Sequence, residues 1–102
     1  MERVVFDIET KNSFADVGGR DNLKALEASL IGAYSYDGDK YFTFEENQFD
    51  DFGELARGAN VLITFSGIRF DVPVLEKYYK FKISAIPHFD ILDEIEKTLG
   101  RR

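Results

Sequence analysis

Arg3-Val4-Val5-Phe6-Asp7-Ile8-Glu9 begins as an apolar run and then alternates, with Phe6 and Ile8 on one face and Asp7 and Glu9 on the other. That pattern is a strand, buried at its start and delivering two carboxylates at its end. Residues 11–22 behind it are polar, with Gly18-Gly19 and several Asp and Asn, and read as a long loop. Leu23 to Leu26 fit a helical turn. Leu30-Ile31-Gly32-Ala33-Tyr34-Ser35-Tyr36 and Lys40-Tyr41-Phe42-Thr43-Phe44 are the second and third strands, and Asp37-Gly38-Asp39 between them is a hairpin signal.

The polarity then changes period. Phe49, Phe52 and Leu55-Ala56 recur at helical spacing, with Glu45, Glu46, Asp50, Asp51 and Glu54 forming an acidic face near the helix start and Gly58 ending it. Val61-Leu62-Ile63-Thr64-Phe65 is the near-continuous apolar run expected of a central strand covered on both faces. Pro73 suits the first turn of a helix running through Val74 to Tyr79. A short strand is expected around His88-Phe89-Asp90, then an amphipathic helix from Ile91 to Leu99, ended by Gly100 with Arg101 and Arg102 behind it. The order β-β-β-α-β-α-β-α defines an α/β fold, a mixed five-stranded sheet flanked by helices.

Composition bounds what this fold can do. A chain of 102 residues is one domain, large enough to bury roughly 60–65% of its unfolded surface. Its 44% hydrophobic content is that of a packed globule, and ten Phe with five Tyr and no Trp point to a core filled largely by rings. The absence of cysteine excludes disulfide frameworks, thiolate zinc sites and thiol nucleophiles. No apolar run is long enough for a membrane span, and the start of the chain does not read as a signal peptide, so a cytoplasmic protein is expected. A net charge of −6 argues against nucleic-acid binding by bulk electrostatics.

Three groups of residues could carry chemistry. Asp7 and Glu9, at i and i+2 on a strand, project from one face with Cα atoms about 6.5 Å apart. Such a pair can share a divalent ion, and all-oxygen ligands suit Mg2+ or Mn2+. Taken by itself, the Asp7–Glu9 pair is more simply a strand that has reached solvent. Asp71 follows a Gly-containing turn, Thr64-Phe65-Ser66-Gly67-Ile68-Arg69-Phe70, at the carboxyl end of a buried strand, where α/β domains gather ligands. Its simpler role is that of an N-cap. His88 and Asp90 could form a ligand or base pair, or a structural contact at a strand end.

Taken in order, VVFDIET, the hairpin LIGAYSYDGDKYFTF, LITFSGIRFDVPVLEKYY and HFDILDEIEKTLGRR resemble the RNase H-like superfamily of DEDD-type 3′–5′ exonuclease domains. The likeness is greatest to the exonuclease domains related to those of family B DNA polymerases. The resemblance covers essentially the whole chain and implies an RNase H-like fold with two-metal phosphodiester hydrolysis by Mg2+ or Mn2+. It assigns Asp7 and Glu9 to the first acidic motif and Asp71 to the second, as metal ligands and catalytic residues. Asp7 would bridge the ions, Glu9 would assist the nucleophile side and Asp71 would hold the other ion. Thr10, Ser66, Arg69 and Phe70 become substrate contacts, with Ser66 standing where the family usually has Asn. Nothing after Asp71 fits the family's last acidic motif, since His88-Phe89-Asp90 has the wrong spacing. The expectation is a domain lacking its C-terminal helical part, completed by a further segment or by a homodimer.

Charge is compatible with this reading. Three acids would be metal-masked, and the five at 45–54 lie away from the site. Residues 69–82 hold Arg69, Lys77, Lys80 and Lys82 against Asp71 and Glu76, able to meet the backbone of single-stranded DNA or RNA. Tyr78 and Tyr79 could stack on bases or pack in the core. The alternative in a different class is a catalytically degenerate module that binds nucleic acid or protein without hydrolysis.

Overall fold

The computed structural model describes residues 1–100; Arg101 and Arg102 lie outside the described residues. Strand β1 (Arg3–Thr10) is central and pairs on both edges. It runs antiparallel to β2 (Ala28–Ser35), which runs antiparallel to β3 (Lys40–Glu45). On its other edge β1 pairs in parallel with β4 (Val61–Thr64), and β4 in parallel with β5 (His88–Asp90). The sheet order is β3-β2-β1-β4-β5, the mixed five-stranded sheet expected from the sequence.

Helix α1 (Phe49–Arg57) crosses from β3 to β4 over the face that carries Val4, Phe6 and Ile8. Fully buried Phe52 anchors it, with ring centroids 5.1 Å from Phe6 and 5.7 Å from Phe44. Such tilted and edge-on pairs add about 1 kcal/mol each to simple burial. Helix α2 (Asp71–Leu75) buries Val72, Val74 and Leu75 in the same cluster, joined by Leu26, Leu62 and Ile83.

This helix differs from its sequence reading. It starts at Asp71 with Pro73 in its first turn, as expected, but after Leu75 tightens into a 3-10 turn over Glu76–Tyr78 instead of continuing to Tyr79. Tyr78 and Tyr79 are both held in packing. The Tyr78 hydroxyl accepts the Ala28 amide at 3.0 Å, and the Tyr79 hydroxyl donates to the Phe49 carbonyl at 2.7 Å. Gly53 makes room for Tyr79, since a Cβ there would stand 2.7 Å from its ring.

The opposite face of the sheet is uncovered among the described residues. The expectation that β4 is covered on both faces therefore fails. Leu62 and Thr64 are buried, but Val61 and Ile63 are only half-buried and the following Phe65 is exposed. Rings fill much of the core, as composition implied. Phe6, Phe44, Phe49 and Phe52 are buried and Phe14, Phe42, Phe70, Tyr78, Tyr79 and Phe81 pack against them, whereas Tyr36, Tyr41, Phe65 and Phe89 are exposed on or beside the open face. Helix α3 (Ile91–Leu99) likewise buries no residue and leaves Ile91, Ile95 and Leu99 exposed. The molecule measures 41 × 39 × 22 Å, its smallest dimension matching a sheet with one helical layer. No helix among the described residues is long and apolar enough to cross a membrane.

Candidate functional site

Asp7 and Glu9 emerge on the open face of β1, opposite Val4, Phe6 and Ile8. The parallel pairing of β1 with β4 extends only to Val5 opposite Ile63, so the carboxyl-terminal half of β1 has a free edge on that side. The loop after β4 brings Asp71 to this edge.

That loop is built by four local devices. Ser66 takes a left-handed conformation, φ 65°, which turns the chain sharply away from the sheet. Gly67 is in contact with Thr64: a Cβ at Gly67 would lie 2.3 Å from the Thr64 hydroxyl oxygen, so the close approach excludes any side chain. Asp90 ties the loop down. Its carboxylate accepts the Ser66 and Ile68 amides at 2.8 and 3.2 Å, and caps α3 through the Leu92 and Asp93 amides at 3.0 and 3.4 Å. Finally, the Phe70 and Val72 amides donate to the carbonyls of Ser66 and Gly67, which starts α2 with Asp71 as its first residue.

Asp71 is therefore not the N-cap. Phe70 occupies that position, with no side-chain cap, and the Asp71 carboxyl is only 3% exposed beside Asp7. Burial, then the Asp7 charge, then a hydrogen bond to Asp7 push its pKa from 3.8 up to about 7, against the opposing pull of the Ile8 and Asp71 amides. Its Oδ2 atom is buried without any hydrogen-bond partner. A buried carboxyl with one orphaned oxygen, coupled to a second carboxyl, offers the oxygen donors that a hard divalent cation takes. Asp7 and Asp71 thus fit Mg2+ or Mn2+ in donor type. Glu9 shares the Asp7 side of β1, in regular register with it, but no three carboxylate or imidazole groups are gathered closely enough to hold an ion among the described residues.

The other expected site residues separate into engaged and free. Thr10 donates its hydroxyl to the Asn12 carbonyl at 2.9 Å. Phe70 packs edge-on against Phe14, 5.7 Å between centroids. Arg69 pairs with Asp93 at 2.6 Å and Glu96 at 3.2 Å. Lys77 donates to the Lys24 and Leu26 carbonyls, and burial lowers its pKa. Lys80 and Lys82 remain exposed. Of the acidic helix start, Glu46 pairs with Lys11 at 2.8 Å, while Glu45 lies in the same cross-strand row as Glu9, separated by Leu30.

His88 and Asp90 form no acid–base pair. The His88 ring nitrogen Nε2 lies 2.6 Å from the Thr64 hydroxyl, and burial lowers its pKa. Burial also works against a charged Asp90, but its four amide donors outweigh that and hold the carboxyl below its ordinary value. Asp90 is a loop anchor, a role that sequence reasoning missed. Asp before a helical period was the available signal.

A family model described as RNase_H superfamily matches residues 4–101, nearly the whole chain. The chain belongs to the RNase_H superfamily. Among solved structures, it is similar to the family B DNA polymerase from the hyperthermophilic archaeon Pyrobaculum calidifontis, at 18% sequence identity and a TM-score of 0.55. That likeness covers 99% of this chain and 11% of the polymerase chain, and it shows the fold alone. A search of curated proteins finds no match.

Proposed function

We propose that this chain is a divalent-metal-dependent nuclease domain that hydrolyses phosphodiester bonds of single-stranded DNA or RNA from the 3′ end. The observation that carries this reading is the buried Asp71 carboxyl, coupled to Asp7 and with its Oδ2 left unpartnered, beside the free edge of β1. Membership of the RNase_H superfamily supports it. Asp7 and Asp71 would hold Mg2+ or Mn2+, with Glu9 reaching from the same face of β1. The metal, when bound, supplies Lewis-acid stabilisation of charge on the phosphoryl group and a more acidic attacking water. Asp71 holds a proton near neutrality, and giving it up leaves a full carboxylate able to ligate a cation. The Gly67 contact and the Asp90 anchor fix the backbone from which Asp71 reaches, so the two carboxylates are positioned before substrate arrives.

The test is digestion of 5′-labelled single-stranded DNA and RNA in Mg2+ and Mn2+. Shortening from the 3′ end that disappears with Asp7→Ala and with EDTA is expected; degradation unchanged by Asp7→Ala overturns the proposal. The absence of a third gathered ligand among the described residues favours a second reading, a module that retains nucleic acid without cutting it. Retention without degradation in both metals would select it.

A further inference from the structure

We propose that the uncovered face of β1, β2 and β3 is a stacking platform for the bases of a single-stranded nucleic acid whose phosphodiester lies at Asp7. The proposal deepens the nuclease reading and rests on it for the polarity of the strand. Asp7, Gly32 and Thr43 form one cross-strand row; Val5, Tyr34 and Tyr41 form the next. The two rows stand about 6.6 Å apart along the strands. A bond held at Asp7 therefore leaves its neighbouring base within reach of the tyrosines.

Space for that base is built into the sheet. Gly32 sits between Asp7 and Thr43, and a Cβ placed there would meet no atom within 4 Å. A glycine inside a strand with open space above it leaves room for a ligand to approach the backbone. The resulting groove of about 380 Å³ is lined by Val5, Asp7, Gly32, Tyr34, Tyr41 and Thr43 among others, so it joins the carboxylate directly to the rings.

The rings are organised in advance. Tyr34 stands 4.7 Å from Tyr41 and 5.2 Å from Tyr36 between centroids, its hydroxyl donates to Asp39, and the Arg3 guanidinium lies 4.0 Å over Tyr36. Tyr41 is 81% exposed, so its ring face is available to a ligand. Cross-strand aromatic pairs also stabilise sheets, but that role does not require an adjoining groove at Gly32. Glu2, Asp37 and Asp39 border this end of the face beside Arg3 and Lys40, which disfavours phosphate capture. Recognition falls to the π-faces of the bases, and an acidic chain can in this way bind nucleic acid without a basic patch.

Fluorescence anisotropy in EDTA with a labelled short oligothymidine, and with an abasic strand of equal length, tests the platform. The wild-type chain is expected to bind the base-bearing strand roughly tenfold more tightly. Tyr41→Ala should remove most of that preference and Tyr41→Phe should retain it, with little weakening between low and physiological salt. Equal affinity for the two strands, no binding, or an unchanged preference in Tyr41→Ala overturns the proposal. So does a dimer in sedimentation that oligothymidine fails to disperse. Cleavage dependent on Asp7 without base preference overturns the platform alone, and base preference without cleavage in Mg2+ or Mn2+ overturns the nuclease reading alone.

Discussion

Replacing Asp71 with Asn tests the electrostatics of the site without requiring catalysis. The unfolded chain ionises Asp71 near its ordinary 3.8, whereas the folded protein holds the proton to about 7. Between those values the native state binds more protons than the unfolded state, so stability falls as pH rises. Below about pH 4 both states are protonated and the carboxyl imposes no ionisation cost. Above about pH 7 the full cost is present, on the order of 4 kcal/mol for the displacement from 3.8 to about 7. Asn is nearly isosteric, keeps an oxygen acceptor for the Ile8 amide and can donate to Asp7. Allowing about 1 kcal/mol for imperfect replacement of those hydrogen bonds, Asp71→Asn should stabilise the metal-free protein by about 3 kcal/mol near pH 8.5. Near pH 4 the change should be small. For a domain of this size that is a rise of roughly 10 °C or more in Tm on the alkaline side.

Urea unfolding in EDTA, followed by far-ultraviolet circular dichroism across this pH range, reads the effect directly. Wild-type stability should decline between about pH 4 and about pH 7, and this part of the slope should be missing in Asp71→Asn. Mg2+ or Mn2+ should stabilise the wild type above neutrality and leave the variant unmoved. Parallel pH profiles for the two proteins, or a variant clearly less stable near pH 8.5, would refute the argument that Asp71 is held protonated by burial and Asp7.

Three further substitutions address the loop that positions Asp71. Gly67→Ala places a Cβ within 2.6 Å of three Thr64 side-chain atoms and should cost about 3 kcal/mol, measured as a lower urea midpoint and lost cleavage. Asp90→Ala leaves four backbone amides without their acceptor and should destabilise by about 3 kcal/mol at neutral pH. Because the Asp90 carboxyl is held below its ordinary value, its contribution is present above the unfolded pKa and lost as pH falls through the folded one, so the two proteins should converge in acid. Ser66→Asn places a residue that tolerates the left-handed region at φ 65°, and thermal melts should show a gain of about 0.5 kcal/mol.

What was legible in the sequence depended on period. The alternation from Val4 to Glu9 located β1 and its two carboxylates correctly, because one face of that strand is buried and the other is not. The change to helical spacing located α1 through Phe49, Phe52 and Ala56, all buried as expected. Val61 to Phe65 misled for the same reason. An apolar run implies cover on both faces, but Val61, Ile63 and Phe65 look onto a face with no layer over it among the described residues. Pro73 marked the first turn of α2 correctly but fixes only a dihedral angle; the loop that leads into that turn is held by Asp90 tying down Ser66 and Ile68 from a strand two dozen residues later. No local pattern carries that information.

The same limit separates the acids of the candidate site. Asp7 and Glu9 could be paired from their spacing, since two residues on one strand share a face by geometry alone. Joining Asp71 to Asp7 needed the order β1 beside β4 and the early end of their pairing at Val5 and Ile63. Only then does a buried carboxyl face a second carboxyl across a free strand edge, with one oxygen left unpartnered. In a solvated strand end, or at a helix cap, the same residue types would carry no such cost. Asp71 lacks both outlets, because Phe70 occupies the cap position and the core closes around Val72 and Val74. The energy stored in that carboxyl is therefore a property of the fold around it, and its release by a cation or by Asn is the quantity that separates a metal site from an ordinary acidic strand end.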